Sequence, residues 1–406
     1  MDETLTVGQR IKRHRERIGM TQRVLAELCG RKADWIKAIE NGKRGTPRLP
    51  TLLQIAEALG LDDLAELTGN GHAVSVSIYA GRTHPDLGRV QAALTEYRFA
   101  NPIARHDVAS LANRLRAAWD IRHSSPDHRT ALGVILPDLI RDAQAAARTV
   151  GPERREARRV LAGVYHLADF YVAYQSDSAL VWMVADRGLS EAADADDPYT
   201  IACGMWAMVQ ALRDSGRWDE ALGMIASGRE MLAPWIERDT TPDDWRGIAG
   251  ALEAEAALVQ SRRGRQGDAW AAWDQAEKFA QRLGPQYRHV QTSFSQAVQV
   301  ANAVTLGVDL KRSGEALRAA SSLGDDAIVS VPRRARHLIE VARAHDQRGE
   351  DAAVIAILDR AQRTAPETIA YNGYARDMLV SLQQNPPTGM ARTVRELSRR
   401  VGVAAA

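Results

Sequence analysis

The sequence predicts an all-α protein. Hydrophobic residues make up 45% of the 406-residue chain but aromatic residues only 5%, a composition typical of packed helices and not of β-sandwiches. Long amphipathic stretches follow one another between turn signals such as Asn101-Pro102, Asp197-Pro198 and Gly284-Pro285, and a proline just inside a helix start fits its missing N–H. The length allows two or three domains.

The first helix is predicted over residues 7–18. Val7, Ile11 and Ile18 form one apolar stripe at helical spacing. His14 lies on the same stripe. We expect it to be a half-buried histidine whose polar atoms are satisfied by a neighbour, and not a ligand residue.

The most informative stretch follows, from residue 20 to residue 48. Thr21 is predicted to cap a short helix that ends at Gly30, because glycine adopts a left-handed backbone most readily. A second short helix is predicted from about residue 32 to residue 41. Two short helices joined by a tight turn are the geometry that places the second helix in the major groove of DNA.

Positive charge is concentrated in the same part of the chain. Residues 10–48 hold twelve Lys or Arg and four acidic residues, a net charge of +8, whereas the whole chain carries +2. A basic patch on a nearly neutral chain is typical of a surface that binds phosphates. The alternative from charge alone is a solvated basic surface on an ordinary helical bundle.

The order of short motifs between residues 21 and 43 is specific. Thr-Gln, Leu-Ala, Gly, Ile and Glu-Asn-Gly-Lys follow one another, and this order resembles the XRE-type helix-turn-helix family of lambdoid phage repressors and Cro. The resemblance covers about residues 5–69. It implies a five-helix domain that binds double-stranded DNA, with a fourth helix at 49–59 and a fifth at 62–67. It also implies a structural ion pair between Arg15 and Glu40.

The resemblance further implies which side chains face the DNA. Gln22 stands at a helix N-terminus, where its amide and the free backbone N–H groups can hold a phosphate. Ala33, Asp34 and Ala38 fall at positions that usually read base edges. The predicted DNA-binding set is Gln22, Arg31, Lys32, Ala33, Asp34, Trp35, Lys37, Ala38, Asn41, Lys43, Arg44 and Arg48.

Within this set the roles differ. Lys32 and Lys37 are expected to contact phosphates, or guanine if the helix tilts. Arg48, just after Pro47, resembles the minor-groove arginine of the family. Two interpretations of Trp35 stay open: it covers the surface of the domain, or its indole N–H meets a phosphate.

Residues 70–87 interrupt the helical pattern and predict a linker. Glycines and Pro85 punctuate the segment. Val74, Val76 and Ile78 alternate with other residues, which favours a short strand or an extended chain. The predicted domains are therefore a DNA-binding head at 1–69 and a helical body at 88–406.

The body contains a weak internal repeat. Gly216, Gly264 and Gly349 are each followed by a small or branched residue five positions on, a larger apolar residue nine on and a small residue twelve on. This spacing is similar to the tetratricopeptide pattern, in which small residues let paired helices pack closely into an α-solenoid. Degenerate repeats are predicted after Gly307 and Ser176. A generic helical array is the alternative.

The whole arrangement resembles regulators of actinobacteria and peptide-sensing regulators of Gram-positive bacteria. The resemblance implies a ligand-responsive homodimer that binds a palindromic operator, with a peptide or a small molecule as effector. Asparagine side chains of the kind that hold a peptide backbone are scarce in the body, which disfavours a peptide. Two other functions stay open: a protein-interaction scaffold with the head as DNA anchor, and a DNA-acting enzyme or toxin–antitoxin component.

Some candidate ligand residues are expected on the concave face of the body, which is lined by the first helix of each repeat. The others belong to the densest polar-aromatic cluster of the body, at residues 165–174. Arg336 is expected on the concave face as well. The alternative for each residue is ordinary core packing. The predicted ligand-binding set is Tyr165, His166, Phe170, Trp206, Gln210, Arg213 and Arg343.

Other function classes find no support in the sequence. No catalytic motif, metal-ligand spacing or phosphate-binding glycine loop is present, so we expect no enzyme, metal or cofactor. Cys29 and Cys203 fall in different predicted domains, which favours reduced thiols and a cytoplasmic location. The absence of an apolar leader or long apolar run predicts a protein outside the membrane.

Overall fold

The computed structural model describes residues 5–44, 47, 49–61, 65–68, 83–96, 107–148, 151–173, 175, 178–324 and 326–403. Over these ranges the chain forms 21 helices and no strand, which confirms the predicted all-α class. None of the helices in the described ranges combines the length and apolar character that crossing a bilayer requires.

The first five helices share one hydrophobic core. They are α1 Val7–Arg17, α2 Gln22–Leu28, α3 Ala33–Glu40, α4 Leu49–Ala58 and α5 Ala65–Thr68. Ile11, Leu25, Ile36, Ile55 and Leu67 are fully buried among them. Each helix from α1 to α4 agrees with its predicted range to within about two residues at either end. The predicted fifth helix begins at residue 62, whereas α5 begins at Ala65. Residues 62–64 lie outside the described residues.

Local signals explain where these short helices begin and end. Thr21 Oγ1 accepts a hydrogen bond from Val24 N at 3.2 Å, and Gly30 has a φ of +60°. Thr6 and Gln9 form a reciprocal capping box that fixes the start of α1.

Gly8 sets how closely α1 approaches α3. A Cβ atom at this position would lie 2.1 Å from the carbonyl oxygen of Ile39, far inside van der Waals contact. A side chain at residue 8 would therefore push α1 away from the last turn of α3. The glycine is what lets α1 support that turn directly.

Sixteen further helices form the body, and most neighbours in sequence also pack together. They are α6 Leu87–Thr95, α7 Val108–Ser124, α8 His128–Arg148, α9 Arg154–Val172, α10 Ser178–Ala195, α11 Pro198–Asp214, α12 Trp218–Ile236, α13 Asp243–Arg262, α14 Gln266–Leu283, α15 Gln296–Asp309, α16 Ser313–Ser321, α17 Val331–Asp346, α18 Asp351–Thr364, α19 Pro366–Ala370, α20 Gly373–Gln384 and α21 Ala391–Val401. The strand or extended chain predicted around Val74–Ile78 lies outside the described residues.

The repeat motifs coincide with helix pairs. Gly216, Gly264 and Gly349 have φ values of +73°, +74° and +70° and stand at the turns of α11/α12, α13/α14 and α17/α18. The degenerate repeat after Gly307 is the pair α15/α16. There Lys311 adopts a φ of +61°, where the other turns use glycine.

The body closes on itself. Helix α7 belongs to the first part of the body and α17 to the last part, and the two helices pack against each other. His123 on α7 lies 2.9 Å from Ser330 Oγ through Nδ1 and 2.6 Å from the Val290 carbonyl oxygen through Nε2. Arg129 N donates to Glu367 Oε2 at 2.5 Å. These contacts surround a central cavity.

Candidate functional site

A buried ion pair fixes the last turn of α3 in the head. Arg15 Nε donates to Glu40 Oε1 at 2.7 Å, and Arg15 Nη2 donates to Glu40 Oε2 at 2.9 Å. The Glu40 side chain is fully buried and that of Arg15 is 8% exposed. The hydrogen bonds to Glu40 raise the pKa of Arg15. The pair ties α1 to α3 at the point where Gly8 allows close approach.

Gln22 belongs to the same network. Its Nε2 donates to Glu40 Oε2 at 2.7 Å, so the amide is held in one orientation at the first turn of α2. An amide nitrogen carries two hydrogens. The second hydrogen of Gln22 has no partner among the described residues, and it lies at a helix N-terminus, a position that favours anions.

The outer face of α3 carries small and charged side chains. Ala33 and Ala38 are half-buried, while Lys32, Asp34 and Lys37 are exposed. Within the described part of the head, Lys32 and Lys37 form no ion pair. A face of this kind lets a helix lie close to a surface of the opposite charge.

The turn after α3 extends this basic face. Lys43 N and Arg44 N both donate to the Ala38 carbonyl oxygen, at 2.8 and 3.1 Å, which folds the turn back beside the helix. Asn41, Lys43 and Arg44 are exposed there. The predicted minor-groove residue Arg48 lies outside the described residues.

Trp35 covers the core of the head. Its ring packs against the buried cluster as a partly exposed member. The Arg31 guanidinium lies over the ring, 5.5 Å from its centroid. This contact supports Arg31 at the edge of the basic face.

His14 is half-buried, and its Nε2 lies 3.7 Å from Glu66 Oε2. Its Nδ1 has no hydrogen-bond partner among the described residues. Burial, followed by the charge of Arg17, lowers its pKa. These features are those of a packing residue between α1 and α5.

The second candidate site is the central cavity of the body, with a volume of about 370 Å³. Four residues of the predicted ligand set line it: Phe170, Trp206, Gln210 and Arg213. Phe170 and Trp206 lie with their ring centroids 5.8 Å apart, so they form one aromatic wall.

The other three residues of the predicted ligand set lie elsewhere. Tyr165 is buried, and its hydroxyl accepts from Gln144 Nε2 at 3.1 Å. His166 is buried against Gly188. Arg343 binds Glu340 at 2.5 Å and Asp309 at 3.2 Å. They project from α9 and α17 on faces that are turned towards neighbouring helices and not towards the cavity.

Sequence reasoning missed three cavity arginines. Arg122, Arg129 and Arg333 line the cavity together with Arg336, which was expected on this face. They come from α7, α8 and α17, more than two hundred residues apart at the extremes. The sequence of each separate helix suggests that its arginine is exposed to solvent. No pattern in the sequence indicates that the closure of the body brings them together.

The cavity arginines differ in how their charge is compensated. Arg213 is paired with Glu255 and with Asp214. Arg129 donates to backbone carbonyls, among them that of Ala173 at 2.9 Å. In Arg122, Nε and Nη1 are buried without a hydrogen-bond partner among the described residues. Burial lowers the pKa of Arg122 to about 9, and the nearby arginines contribute.

Asp169 adds a second unusual group to the cavity wall. Its Oδ1 is buried without a hydrogen-bond partner among the described residues. Burial, with a contribution from Asp214, raises the pKa of Asp169 to about 7. No cluster of three or more His, Cys, Asp or Glu with the geometry of a metal site occurs in the described ranges.

One protein family matches the head. Residues 6–68 match the family described as "Helix-turn-helix domain". No curated protein matches the chain significantly.

Two solved structures share a distant likeness to most of the chain. One is PlcR from Bacillus thuringiensis in complex with the peptide PapR7 and DNA, with 14% identity over 87% of this chain and 98% of that one, and a TM-score of 0.31. The other is ComR from S. thermophilus in complex with DNA and its signalling peptide ComS, with 17% identity over 73% and 99% and a TM-score of 0.28. Similarities this low establish no shared ligand.

Proposed function

We propose that this protein, whose residues 6–68 match the helix-turn-helix family, is a sequence-specific DNA-binding transcriptional regulator that responds to an effector through its helical body. The observation that carries the proposal is the outer face of α3. It is basic, and the buried Arg15–Glu40 pair holds its last turn. A rigid helix can read base edges, because discrimination depends on donors and acceptors held in fixed positions.

The proposed contacts fall into two groups. Ala33, Asp34 and Ala38 are placed to meet base edges, with Asp34 accepting from a cytosine amino group and the alanines touching thymine methyl groups. Gln22, Arg31, Lys32, Lys37, Asn41, Lys43 and Arg44, with Arg48, would contact the sugar-phosphate backbone or the minor groove. Backbone contacts supply affinity that depends on salt, whereas base contacts supply specificity.

We further propose that the protein acts as a homodimer. Two heads would bind half-sites about 34 Å apart on a palindromic operator, one turn of the DNA helix. The body would hold the two heads in register. An effector that changes this arrangement would alter operator affinity by a coupling of about 1–3 kcal/mol.

The first test is a selection of bound genomic fragments with the full-length protein at two salt concentrations. An inverted repeat among the recovered fragments would support dimeric, sequence-specific binding. Salt-sensitive binding without a shared sequence would instead favour the alternative function, a protein-interaction scaffold that the head attaches to DNA.

Neutralising the basic face is expected to weaken DNA binding strongly. In the variant Lys32→Gln/Lys37→Gln/Arg44→Gln, each substitution removes one cation that neutralises a phosphate. The plot of log affinity against log salt has a negative slope. Its magnitude should therefore decrease by about 1 for each substitution, or about 3 in total. Fluorescence anisotropy with the selected fragment at several salt concentrations measures both the affinity and the slope.

A matched control removes three charges from the last helix of the body. Arg392, Arg395 and Arg399 are exposed on α21, and their substitution by glutamine changes the net charge equally. We expect this control to keep both the operator affinity and the slope. If the two triple variants bind alike, the face of α3 is not the DNA-binding surface.

A further inference from the structure

The central cavity keeps a positive charge that its own residues do not neutralise. Arg122 on α7 lies among Arg129, Arg333 and Arg336, each of which depresses its pKa. Of the carboxylates that line the cavity, Glu255 and Asp214 bind Arg213, and Glu340 binds Arg343. Asp169 forms no ion pair with Arg122 among the described residues, and burial raises its pKa to about 7. Arg333 Nη2 donates to Asn302 Oδ1 at 2.9 Å, which is a neutral partner.

Such an arrangement is unfavourable in an empty protein. The Nε and Nη1 atoms of Arg122 are buried without a hydrogen-bond partner among the described residues, so they lose hydration that nothing replaces, and neighbouring like charges add repulsion. Groups of this kind cluster at functional sites, where a ligand can complete them. The missing partner of Arg122 is an oxyanion, because guanidinium groups match carboxylate and phosphate oxygens in charge and geometry.

The walls of the cavity limit the rest of the ligand. The Arg122 guanidinium lies 4.9 Å from the centroid of the Phe170 ring, and Trp206 continues that wall. An oxyanion at Arg122 would therefore stand beside an aromatic surface. The volume of about 370 Å³ is near the lower end of the range for small-molecule sites, roughly 300–1,000 Å³, and fits a compact molecule better than an extended peptide.

We propose that the cavity binds a small molecule that carries a carboxylate or phosphate group next to an aromatic or flat apolar ring. The oxyanion is held by Arg122 and Arg333, and the ring lies against Phe170 and Trp206. The inference rests on the proposed function, in which this molecule is the effector. Arg122 and Arg333 lie on α7 and α17, the helices whose contact closes the body, so the anion strengthens that closure.

The test uses the full-length protein in Tris-chloride buffer at low salt, with four probes. Benzoate and phenyl phosphate present the two oxyanions on a ring, inorganic phosphate lacks the ring, and benzamide is the neutral counterpart of benzoate. Isothermal titration calorimetry measures affinity, and the thermal midpoint measures stabilisation. We expect benzoate or phenyl phosphate to bind and to raise the midpoint by about 2 °C or more, and benzamide to do neither.

The variant Arg122→Met separates a ligand site from a structural arginine. Methionine keeps the apolar stem and removes the charge. The oxyanion probes should bind about 10- to 100-fold more weakly. The variant without probe should have a higher thermal midpoint than the wild type, because the unmatched charge is gone. A structural arginine would give the opposite result, a lower midpoint.

The control is Arg116→Met on the exposed side of the same helix, which should leave probe binding unchanged. The proposal is overturned if none of the anions binds the wild type, if Arg122→Met binds them equally, or if Arg122→Met lowers the midpoint. Tighter binding of benzoate than of phenyl phosphate, or the reverse, identifies the oxyanion as a carboxylate or a phosphate. If inorganic phosphate binds as tightly as phenyl phosphate, the part of the proposal that concerns the ring is wrong. All measurements are made without DNA, so failure of DNA binding would leave them unaffected.

Discussion

At pH 5 the helical body is expected to be several kcal/mol less stable than at pH 8, because it buries histidines that the fold keeps neutral. Burial lowers the pKa of His123, His166, His289 and His337 to about 4. The pKa of His128 is also strongly lowered by burial. In the unfolded chain each would titrate near 6.5.

The direction follows from where protons bind. Between pH 6.5 and 4 the unfolded chain takes up protons that the native state does not, so stability is full above 6.5 and falls as the pH drops. At pH 5 each histidine removes about 2 kcal/mol, or roughly 10 kcal/mol for five as an upper limit. Asp169, with its raised pKa, acts in the opposite direction with about 3 kcal/mol. Other buried carboxyls with raised pKa values, such as Glu255, act in the same direction as Asp169.

Hydrogen bonds show why one of these histidines resists protonation. His289 Nδ1 accepts from Thr292 N at 3.2 Å, and its Nε2 lies 3.0 Å from the Tyr199 hydroxyl. A proton on Nδ1 would face the backbone N–H and break that bond. The neutral ring is thus fixed by geometry as well as by burial.

Urea unfolding at pH 8, 7, 6 and 5, followed by tryptophan fluorescence, measures the effect. Eight of the nine tryptophans lie beyond residue 88, so the signal reports the body. The variant His289→Gln should lose some stability at pH 8, where only packing and hydrogen bonds count, and should show a shallower fall towards pH 5. A free energy of unfolding that stays constant from pH 8 to pH 5 would contradict the prediction.

The second large effect concerns the head. Replacing Glu40 by alanine leaves Arg15 buried without its partner, and we expect the head to lose about 3–5 kcal/mol. The helix-turn-helix unit would then unfold locally while the body stays folded. Hydrogen exchange measured by mass spectrometry on peptides from residues 7–40 distinguishes the two parts.

The matched control for Glu40→Ala is the double variant Arg15→Met/Glu40→Met. It removes both charges and keeps apolar volume, so most of the protection against exchange should return. If the proposed DNA-binding function holds, binding of the selected DNA fragment should stay impaired in the double variant, because Gln22 loses the acceptor that orients it. If peptides from residues 7–40 exchange hydrogen at the same rate in Glu40→Ala as in the wild type, the buried pair does not support α3.

Much of the head could be predicted from the sequence, because local interactions specify it. Thr21, Gly30 and the spacing of Ile36 and Ile39 determine where short helices begin, end and face the core. The family resemblance supplied the Arg15–Glu40 pair. The close approach at Gly8 could not be predicted, since nothing in the local pattern shows which backbone lies above a glycine.

In the body, the sequence by itself determined the helical class and the turns at Gly216, Gly264 and Gly349, because helical periodicity and left-handed glycines act over a few residues. The tertiary structure alone decided the cavity. The packing of α7 against α17 brings Arg122 and Arg333 into the lining of one cavity, across a separation of two hundred residues. Electrostatic interactions depend on distance and burial and not on sequence order, so the unmatched charge exists only after the body has closed.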